Sequence, residues 1–570
     1  MNSRAARLLA GLVLLASVAS CTSVSDALEE GPQDVVNQFV AAWNAEDFET
    51  INALMPDTPE KQKWHSGAMR VFFEKVLADG HFTDFEVRAD VIGEPEGDDA
   101  EVQFAISYES EVTREPVEFQ GRLPVHRETD GWVVKWARNF VWAGYKADRF
   151  RVDEKWPQRA SILDRDGKKM ATGAADSRRY QFGSVGGTTI GHLEPPPKNA
   201  GFDRLVGGSG LEAAYDEELA GEPRTTLHLI RNGRSILRLG SKKGSPSAPL
   251  RTTLDMDVQS AAEAALGSTP GGAVVMDPAT GDILAAVASS PFAPGNYVGV
   301  ADIEPFNRAL SGLYPPGSSL KAMTASAALD SGTVKPSTDL TGPKEYRGVR
   351  NFESGEFGTI DFATALENSV NTAFAQVALK LGANRLFRYA EAFGFNEPPS
   401  MQLQAATSSF PKPLDEGDLM WGSIGQAQVL ATPLQMASVA ATIANDGRRM
   451  EPRIDEQLKP TGERAITVKT ARTMHELMRN VVIGGTGVAA NVTGLEVAGK
   501  TGTAEVDVGG QRKNHAWFIC FAPAPDPRVA IAVVAEYGGI GGEVAAPIAR
   551  NILTSIWPHL PSPKGKKNKG

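Results

Sequence analysis

The chain has 570 residues, 42% of them hydrophobic and 22% charged, which is an ordinary globular composition. It is too long for a single hydrophobic core, so several domains are expected. A formal net charge of −11 argues against a polyanionic partner such as nucleic acid.

Residues 1–20 have the layout of a bacterial signal peptide. Two arginines precede an apolar run from Leu8 to Val18, which is too short to span a membrane comfortably. The run ends in Val-Ala-Ser-Cys, which resembles the lipobox of a bacterial lipoprotein and predicts that Cys21 carries lipid. An uncleaved anchor that ends at a cysteine is the alternative, and both interpretations predict an exported protein.

The cysteine count agrees with this prediction. Only Cys21 and Cys520 are present, so a lipidated Cys21 leaves no disulfide. Cys520 lies in the apolar run "AWFICFAP", which predicts a buried structural thiol. The lysine-rich tail at 561–570 is interpreted as a solvated end.

A small α+β domain is predicted for residues 30–147, after a polar spacer at 21–29. Val36, Phe39 and Trp43 recur at helical spacing, and the segments "VQFAISY" and "WVVKW" alternate apolar and polar residues as strands do. Helices followed by an antiparallel sheet favour this class of domain. It shows no convergent catalytic set.

A second module is predicted at 148–245 and the largest at 246–560. "RASILDRDGKKMA" predicts a strand with an Asp-Gly turn, and "GSGLEAAYDEELAGEP" opens a predicted helix. The segment "GSKKGSPSAP" is interpreted as a linker before the largest module.

The first candidate catalytic cluster is "PPGSSLK". Ser318 has a lysine three residues later, Lys321, whereas the residue three beyond Ser319 is Ala322. The prolines and glycine stop the preceding element, and the good helix formers that follow predict a helix that begins near Ser318. Ser318 and Lys321 then share nearly one face, and unpaired N–H groups there suit a developing oxyanion. Alone, the motif is weak.

The second cluster is "ENSVNTAF", in which Ser369 and Asn371 stand at the predicted start of another helix. By itself this pattern is more typical of a helix cap than of a catalytic pair.

The third cluster contains a misleading match. "GLEVAGKT", ending in Lys500 and Thr501, fits the phosphate-binding P-loop pattern. A P-loop needs a helix after it, whereas "TGTAEVDVGG" and a long apolar run predict a strand, a turn and a second strand. No nucleotide is therefore predicted. In a strand, Lys500, Thr501 and Thr503 present an amine and hydroxyls to a carboxylate, and Gly502 lets a substrate backbone approach closely.

Other hydrolytic chemistries find no support. The segment "HELMR" lacks a second histidine, so no zinc pair forms and no metal is predicted. A Gly-x-Ser-x-Gly nucleophile elbow is also missing.

Together and in this order, the motifs Ser-x-x-Lys, Ser-x-Asn and Lys-Thr-Gly resemble those of penicillin-binding proteins and serine β-lactamases. The segments "GGAVVMDPATGDILAAVAS", "NRALSGLYPPGSSLKAMTASAAL", "SIGQAQVLATPLQMASVAATIANDG" and "AWFICFAP" are similar to signatures of class B penicillin-binding proteins. Residues 30–147 resemble, more weakly, the NTF2-like extension of low-affinity, methicillin-resistance-type members. One departure is Cys520, where the family usually has glycine.

The resemblance implies a multidomain fold. An NTF2-like α+β domain is followed by an elongated pedestal, or dimerisation, domain. The last is a serine β-lactamase/transpeptidase-like α/β domain with a central antiparallel sheet flanked by helices. It also implies an actinobacterial-type lipoprotein on the outer face of the cytoplasmic membrane, held there by lipid on Cys21.

The resemblance further implies the roles of the motif residues. Ser318 attacks the D-Ala-D-Ala stem peptide and Lys321, neutral in a desolvated pocket, takes its proton. Ser369 relays a proton to the leaving D-alanine, and Asn371 holds the substrate amide and Lys321. Lys500, Thr501 and Thr503 bind the terminal carboxylate, and the backbone N–H groups of Ser318 and Thr503 form the oxyanion hole.

The implied activity is cross-linking. The amine of a second stem peptide resolves the acyl-enzyme without a cofactor, and β-lactams acylate Ser318 in place of the donor. A polymerising glycosyltransferase of the elongation or division machinery is the implied partner. A D,D-carboxypeptidase, a β-lactamase and a non-catalytic penicillin-binding scaffold or receptor remain the alternatives.

Overall fold

The computed structural model describes residues 31–142 and 145–560. The predicted signal peptide, Cys21 and the lysine-rich tail lie outside the described residues. In the described ranges no helix is long and apolar enough to cross a membrane. Nor do these ranges contain a group of three or more histidine, cysteine, aspartate or glutamate side chains placed to hold a metal ion.

Helices and strands are numbered in chain order. The helices are α1 (Pro32–Asn44), α2 (Phe48–Ala53), α3 (Pro59–Lys63), α4 (Ser66–Asp79), α5 (Gly187–Ile190), α6 (Gly210–Ala214), α7 (Asp216–Ala220), α8 (Met256–Leu266), α9 (Arg308–Ser311), α10 (Lys321–Asp330), α11 (Phe362–Glu367), α12 (Asn371–Leu381), α13 (Ala383–Ala392), α14 (Glu416–Ser423), α15 (Pro433–Ala444), α16 (Val468–Ile483) and α17 (Ala545–Ile556). The first five strands are β1 (Phe82–Val91), β2 (Asp99–Ser110), β3 (Val117–Glu128), β4 (Gly131–Val134) and β5 (Arg149–Lys155). They are followed by β6 (Ile162–Leu163), β7 (Lys169–Thr172), β8 (Arg179–Tyr180), β9 (Leu193–Glu194), β10 (Val206–Gly207), β11 (Arg224–Arg231), β12 (Arg234–Lys242), β13 (Leu250–Arg251), β14 (Gly271–Met276), β15 (Ile283–Ala288), β16 (Asp339–Gly342), β17 (Glu345–Tyr346), β18 (Val349–Arg350), β19 (Gly358–Asp361), β20 (Arg448–Met450), β21 (Gly462–Arg464), β22 (Ala498–Val508), β23 (Gln511–Ala522) and β24 (Val529–Ala535).

The chain forms two compact units. The first contains the described residues up to Lys155 together with Arg224–Lys243, and the second contains Trp156–Pro223 and the described residues from Gly244 onward. The predicted module 148–245 is thus shared between the two units in space. Its boundaries stay a prediction, since a compact unit need not coincide with a family module.

The first unit follows the α+β order predicted from the sequence. Helices α1 to α4 precede an antiparallel meander in the order β1-β2-β3-β4. Trp43 lies at the centre of an aromatic core, with its ring 5.4 Å from that of Phe39 and 5.6 Å from that of Phe104. Strands β5, β11 and β12 form a separate sheet in this unit. Because β12 runs to Lys242, the linker predicted from residue 240 begins too early.

In the second unit, two segments of the second module differ from the sequence prediction. "RASILDRDGKKMA" forms two short strands, β6 and β7, that pair antiparallel across the Asp-Gly turn. "GSGLEAAYDEELAGEP" forms two short helices, α6 and α7, broken at Tyr215. Buried ion pairs join these segments, since Glu212 accepts hydrogen bonds from both Arg159 and Arg178 at 2.8 and 2.7 Å.

The second unit is built on an antiparallel sheet in the order β15-β14-β24-β23-β22. Every residue of β24 and of the segment 515–522 of β23 is buried, so both faces of the sheet are covered. Alternate residues enter the two cores: Phe518 and Cys520 face the core that contains α8 and α17, and Trp517 and Ile519 face the opposite core. Burial raises the pKa of the Cys520 thiol, which agrees with the predicted structural role. Strand β22 lies at the edge of this sheet and carries the Lys-Thr-Gly motif.

Candidate active site

The first motif begins in a 3-10 turn at Gly317–Leu320 that continues into α10 at Lys321. Ser319 is 0% exposed, and its hydroxyl donates a 2.6 Å hydrogen bond to the carbonyl of Pro316. Ser318 is partly exposed, and within the described ranges its hydroxyl makes no hydrogen bond to another protein group. Of the two adjacent serines, Ser318 is therefore the one with a hydroxyl open to a substrate.

Close backbone approaches hold this turn in place. Gly317 has φ +54°, and a Cβ on it would lie 2.7 Å from the carbonyl oxygen of Thr503. Its amide donates to the carbonyl of Gly425 at 2.8 Å, where a side chain would again collide with Gly317. The indole N–H of Trp517 donates to the carbonyl of Pro315 at 3.0 Å. The turn can therefore pack closely against β22 and β23, because neither Gly317 nor Gly425 has a side chain at the contact.

Gly502 lies against the turn that carries Ser318. A Cβ there would lie 2.8 Å from the oxygen of Pro316 and 2.8 Å from the amide of Ser319. The space that its missing side chain leaves is filled by the turn that carries Ser318. The missing side chain of Gly502 therefore permits the approach of this turn, and the close approach of a substrate backbone expected from the sequence stays a prediction.

Ser369 and Asn371 lie where the sequence places them, at the start of α12. The helix cap interpretation is wrong, because the residue before the helix is Val370 and no side chain caps it. Ser369 has φ +58°, a left-handed conformation that is unfavourable for a residue other than glycine. Backbone strain of this kind is common in active sites.

Lys321 points toward this second motif. Its ammonium donates to the carbonyl of Ser369 and to Oδ1 of Asn371, both at 2.6 Å, and lies 3.3 Å from Oγ of Ser369. The side chain is 0% exposed. Burial lowers the pKa of Lys321 well below its usual value, and the nearby charge of Lys500 lowers it further. This direction agrees with the predicted neutral amine.

Lys500 reaches the same serine from the opposite side. Its ammonium donates to Oγ of Ser369 at 2.9 Å and to the carbonyl of Thr501 at 3.0 Å. Burial lowers the pKa of Lys500 to about 7. The side chain is 0% exposed, so its ammonium lies beneath the surface rather than open to a carboxylate. Ser369 therefore joins two buried amines.

The hydroxyls of Thr501 and Thr503 lie closer to solvent than Lys500. Thr501 is 6% exposed and Thr503 is partly exposed. Oγ1 of Thr501 lies 2.6 Å from Oγ1 of Thr486, and Oγ1 of Thr503 accepts a 3.3 Å hydrogen bond from the amide of Gly541.

The strand-turn-strand prediction for this segment is confirmed. Strand β22 pairs with β23 from Ala498 opposite Phe521 to Val508 opposite Gln511, and Gly509 and Gly510 make the turn. No helix follows Lys500, so the residues do not form a P-loop.

Residues outside the three motifs complete the site. Asn371 donates to the carbonyl of Arg350 at 2.8 Å, which turns its side-chain oxygen toward Lys321. Asn351, which follows Arg350 in the chain, accepts hydrogen bonds from the amide and hydroxyl of Thr372 at 3.0 and 3.2 Å. Sequence analysis missed Asn351 and Thr486. The glycines around Thr486 in "GGTG" were the one available signal.

The groups that touch the two lysines are hydroxyls, carbonyls and an amide. Within the described ranges neither amine has a carboxylate partner. A neutral amine beside serine hydroxyls can move protons at neutral pH, so the arrangement suits attack by a serine on a carbonyl.

Family comparisons agree with this geometry. Residues 271–554 match the penicillin-binding protein transpeptidase domain, and residues 31–148 match the NTF2-like N-terminal transpeptidase domain. The chain is 34% identical over 479 residues to the peptidoglycan D,D-transpeptidase PbpA of Mycolicibacterium smegmatis, covering 73% of this chain and 93% of that protein. The chain belongs to the class B penicillin-binding proteins.

Other relatives of this penicillin-binding protein agree. It is 31% identical to the peptidoglycan D,D-transpeptidase MrdA of Acinetobacter baumannii over 60% of this chain and 59% of that protein. The crystal structure of PBPA from Mycobacterium tuberculosis aligns with a TM-score of 0.59 at 30% identity, covering 70% of this chain and 98% of that one. A ceftriaxone acyl-enzyme complex of the same protein aligns with a TM-score of 0.58 at 29% identity over 70% and 98% of the two chains.

This penicillin-binding protein is therefore a serine-type D,D-transpeptidase of peptidoglycan synthesis. Its fold confirms the predicted NTF2-like domain and the predicted central antiparallel sheet flanked by helices.

Proposed function

We propose that Ser318 carries the acyl group while this enzyme cross-links peptidoglycan stem peptides. The observation that supports this assignment is the contrast between two neighbours: Ser319 is buried with its hydroxyl bonded to Pro316, whereas Ser318 is partly exposed and open. Oγ of Ser318 attacks the carbonyl of the penultimate D-alanine. The bond to the terminal D-alanine breaks, and an ester with the enzyme remains.

Lys321 takes the proton of Ser318 in this proposal. Its lowered pKa favours the neutral form of the amine, and a general base must be unprotonated to accept a proton. Its hydrogen bonds to Ser369 and Asn371 fix the direction of the amine. Ser369 contacts both Lys321 and Lys500, so it can pass a proton to the nitrogen of the leaving D-alanine.

The terminal carboxylate of the donor peptide binds at β22. The partly exposed hydroxyl of Thr503 and the adjacent hydroxyl of Thr501 donate to it, and the charge of Lys500 attracts it from beneath. Support comes from the exposure order of these three side chains on one strand. Gly502 between them keeps the nucleophile turn against this strand rather than touching the substrate.

The oxyanion hole is formed by the backbone N–H groups of Ser318 and Thr503. The two backbones are adjacent, because the Cβ position of Gly317 lies 2.7 Å from the oxygen of Thr503. One such donor contributes about 3 kcal/mol to stabilisation of a transition state.

The acyl group is then transferred to the amine of a second stem peptide. Attack by that amine breaks the ester, releases Ser318 and closes the cross-link, and no cofactor takes part. Attack by water instead would make the protein a D,D-carboxypeptidase or a β-lactamase. Incubation with a D-Ala-D-Ala peptide thioester and an amine acceptor separates these outcomes, because only a transpeptidase forms an amide-linked product.

Mass spectrometry after incubation with penicillin tests the nucleophile. We expect one covalent adduct that maps to Ser318, lost in Ser318→Ala and kept in Ser319→Ala. An adduct that survives in Ser318→Ala contradicts the assignment. Absence of any adduct in the unaltered enzyme would favour the scaffold alternative.

We also propose that Cys21 is lipidated and holds the enzyme on the outer face of the cytoplasmic membrane. The apolar run that ends in Val-Ala-Ser-Cys supports this. One acyl chain anchors only marginally, so the several chains of bacterial lipoproteins are needed. Unchanged mature size and membrane fractionation of Cys21→Ser would support an uncleaved anchor instead.

Two further proposals rest on resemblance alone. A polymerising glycosyltransferase of the elongation or division machinery supplies the glycan strands, which co-purification after cross-linking tests. Low β-lactam affinity of the methicillin-resistance type would follow from the NTF2-like extension. A second-order acylation rate equal to that of β-lactam-sensitive relatives would overturn this proposal.

The modules at 30–147, 148–245 and 246–560 stay our proposed division of the chain, to be tested by limited proteolysis.

A further inference from the structure

Two glycine-rich loops lie behind the hydroxyls of β22. The first, residues 484–487, presents Thr486 to Thr501 at 2.6 Å between their hydroxyl oxygens. The second, residues 538–542, presents the amide of Gly541 to the hydroxyl oxygen of Thr503 at 3.3 Å. Each of the two threonine hydroxyls on β22 therefore has a polar neighbour in a loop outside the three motifs.

Packing between backbones fixes the first loop. A Cβ on Gly485 would lie 2.4 Å from the carbonyl oxygen of Glu367, to which the amide of Thr486 also donates at 3.3 Å. A Cβ on Gly542 would lie 2.5 Å from the carbonyl oxygen of Thr486. The two loops thus touch each other, and Thr486 is held between α11 and the second loop while its side chain is exposed.

We propose that Thr486 is a positioning residue that sets the hydroxyl of Thr501 to donate to the carboxylate of the donor peptide or of a β-lactam. The proposal rests on the carboxylate site described above. A hydroxyl has one proton, so the 2.6 Å contact has two possible directions. If Thr501 donated to Thr486, its proton would be unavailable to a ligand. If Thr486 donates, the proton of Thr501 is free.

A bound carboxylate selects the second direction. It is an acceptor only, and a hydrogen bond to it is charge-assisted. Within the described ranges the hydroxyl of Thr486 has no other hydrogen-bond partner, so donating to Thr501 gives up nothing. The ammonium of Lys500 is 3.5 Å from the same oxygen, too far for a strong hydrogen bond.

The neighbouring hydroxyl shows the same arrangement without ambiguity. An amide N–H can only donate, so Gly541 occupies an acceptor position of Thr503 and leaves that proton free as well. Thr486 and Gly541 thus each donate to a threonine hydroxyl on β22 and leave the proton of that hydroxyl free. In the carboxylate complex both hydroxyls donate outward.

The test compares acylation rates of purified, full-length variants. Thr486→Val removes the hydroxyl at nearly constant shape, and Thr486→Ser restores it. We expect Thr486→Val to slow acylation by benzylpenicillin about fivefold, because the hydroxyl of Thr501 loses the one neutral hydrogen bond that holds it in position, and to slow acylation by its methyl ester less than twofold. Thr486→Ser should acylate close to the unaltered rate. Thr554→Val, an exposed threonine bonded only to its own helix, is the matched control and should change neither rate.

A double variant separates positioning from direct contact. In a Thr501→Val background the added Thr486→Val change should have no further effect, because the donated proton has no receiver. Further slowing there would mean that Thr486 itself touches the ligand, and equal slowing of acid and ester would mean that it only supports packing. Both results overturn the inference. If Thr501→Val and Lys500→Ala also fail to distinguish acid from ester, the carboxylate site of the proposed function is wrong as well.

Discussion

The two buried lysines around Ser369 are the residues whose chemistry depends most on their surroundings. Lys321 and Lys500 are both 0% exposed, and neither has a carboxylate partner in the described part of the chain. Removing an ammonium from water disfavours its charge, so both pKa values fall. Burial therefore favours the neutral form that the proposed base requires, and the folded state loses some stability in return.

That loss predicts a pH dependence of stability. The pKa of Lys500 is about 7 in the folded state, below the usual lysine value of 10.5. Between these values the unfolded chain binds more protons than the folded one, so the free energy of unfolding rises with pH. Below pH 7 both states are protonated, and the full penalty of burial applies. Lys500→Met removes the penalty, which is on the order of several kcal/mol for a fully buried lysine.

Urea unfolding at several pH values measures this effect. We expect Lys500→Met to be more stable than the unaltered enzyme near pH 7, with the difference shrinking as pH rises toward 10. Lys513→Met, a change at an exposed lysine on the neighbouring strand, is the control. A difference that is constant across this range would show that Lys500 does not titrate between the two values.

At the scale of elements, the site depends on how closely a turn can approach a strand. The turn at Gly317–Leu320 lies on β22 because Gly317, Gly425 and Gly502 each lack a side chain at the contact. Catalytic geometry tolerates little displacement, and an error of about 1 Å can reduce a rate on the order of a hundredfold. The glycines therefore act on the position of Ser318.

Gly502→Ala tests this conclusion. The new methyl group would meet Pro316 and Ser319 at 2.8 Å, so the nucleophile turn must shift. We expect acylation by benzylpenicillin and by its methyl ester to slow by the same factor, on the order of a hundredfold. Unequal slowing would indicate that Gly502 touches the ligand carboxylate or backbone, as the sequence suggested. Gly295→Ala, where the nearest atom would lie at 3.8 Å, is the matched control.

At the scale of the whole molecule, buried charges join the segments of the second module inside the second unit. Glu212 is 0% exposed and accepts from Arg159 and Arg178, and Asp216 accepts from Arg159 at 2.8 Å. These residues come from three separate segments of the chain. Breaking a buried ion pair by removing one partner is costly, because it leaves an uncompensated charge.

Glu212→Gln should therefore destabilise the second unit by about 3–5 kcal/mol. Two guanidinium groups would then face a neutral amide that cannot satisfy both. Calorimetry should show the unfolding transition of the penicillin-binding unit at a lower temperature, while the transition of the first unit stays unchanged, since its core contains none of these residues. Glu217→Gln, at an exposed position on the adjacent short helix, is the control and should change neither transition. An unchanged transition of the second unit in Glu212→Gln would contradict the proposed weight of the ion pairs.

The sequence by itself determined the identity and order of the groups that we propose to react. Ser318, Lys321, Ser369, Asn371 and Lys500 could be found because short spacings such as Ser-x-x-Lys are local and survive in the linear chain. The choice of a strand over a P-loop at Lys500 was also local, since a double glycine and a second apolar run follow it.

Only the tertiary structure decided the burial, the pKa values and the hydrogen-bond partners of these groups. Burial of the lysines, and so their pKa values, depends on atoms brought from distant parts of the chain. The contact of Gly502 with the turn that carries Ser318 was not predicted, because that turn lies more than 180 residues earlier in the chain. Asn351 and Thr486 have no motif of their own; they belong to the site because folding places Asn351 at the start of α12 and Thr486 beside Thr501. Hydrogen bonds and exclusion of water act across space, and sequence spacing records them only within one helix turn or one strand pair.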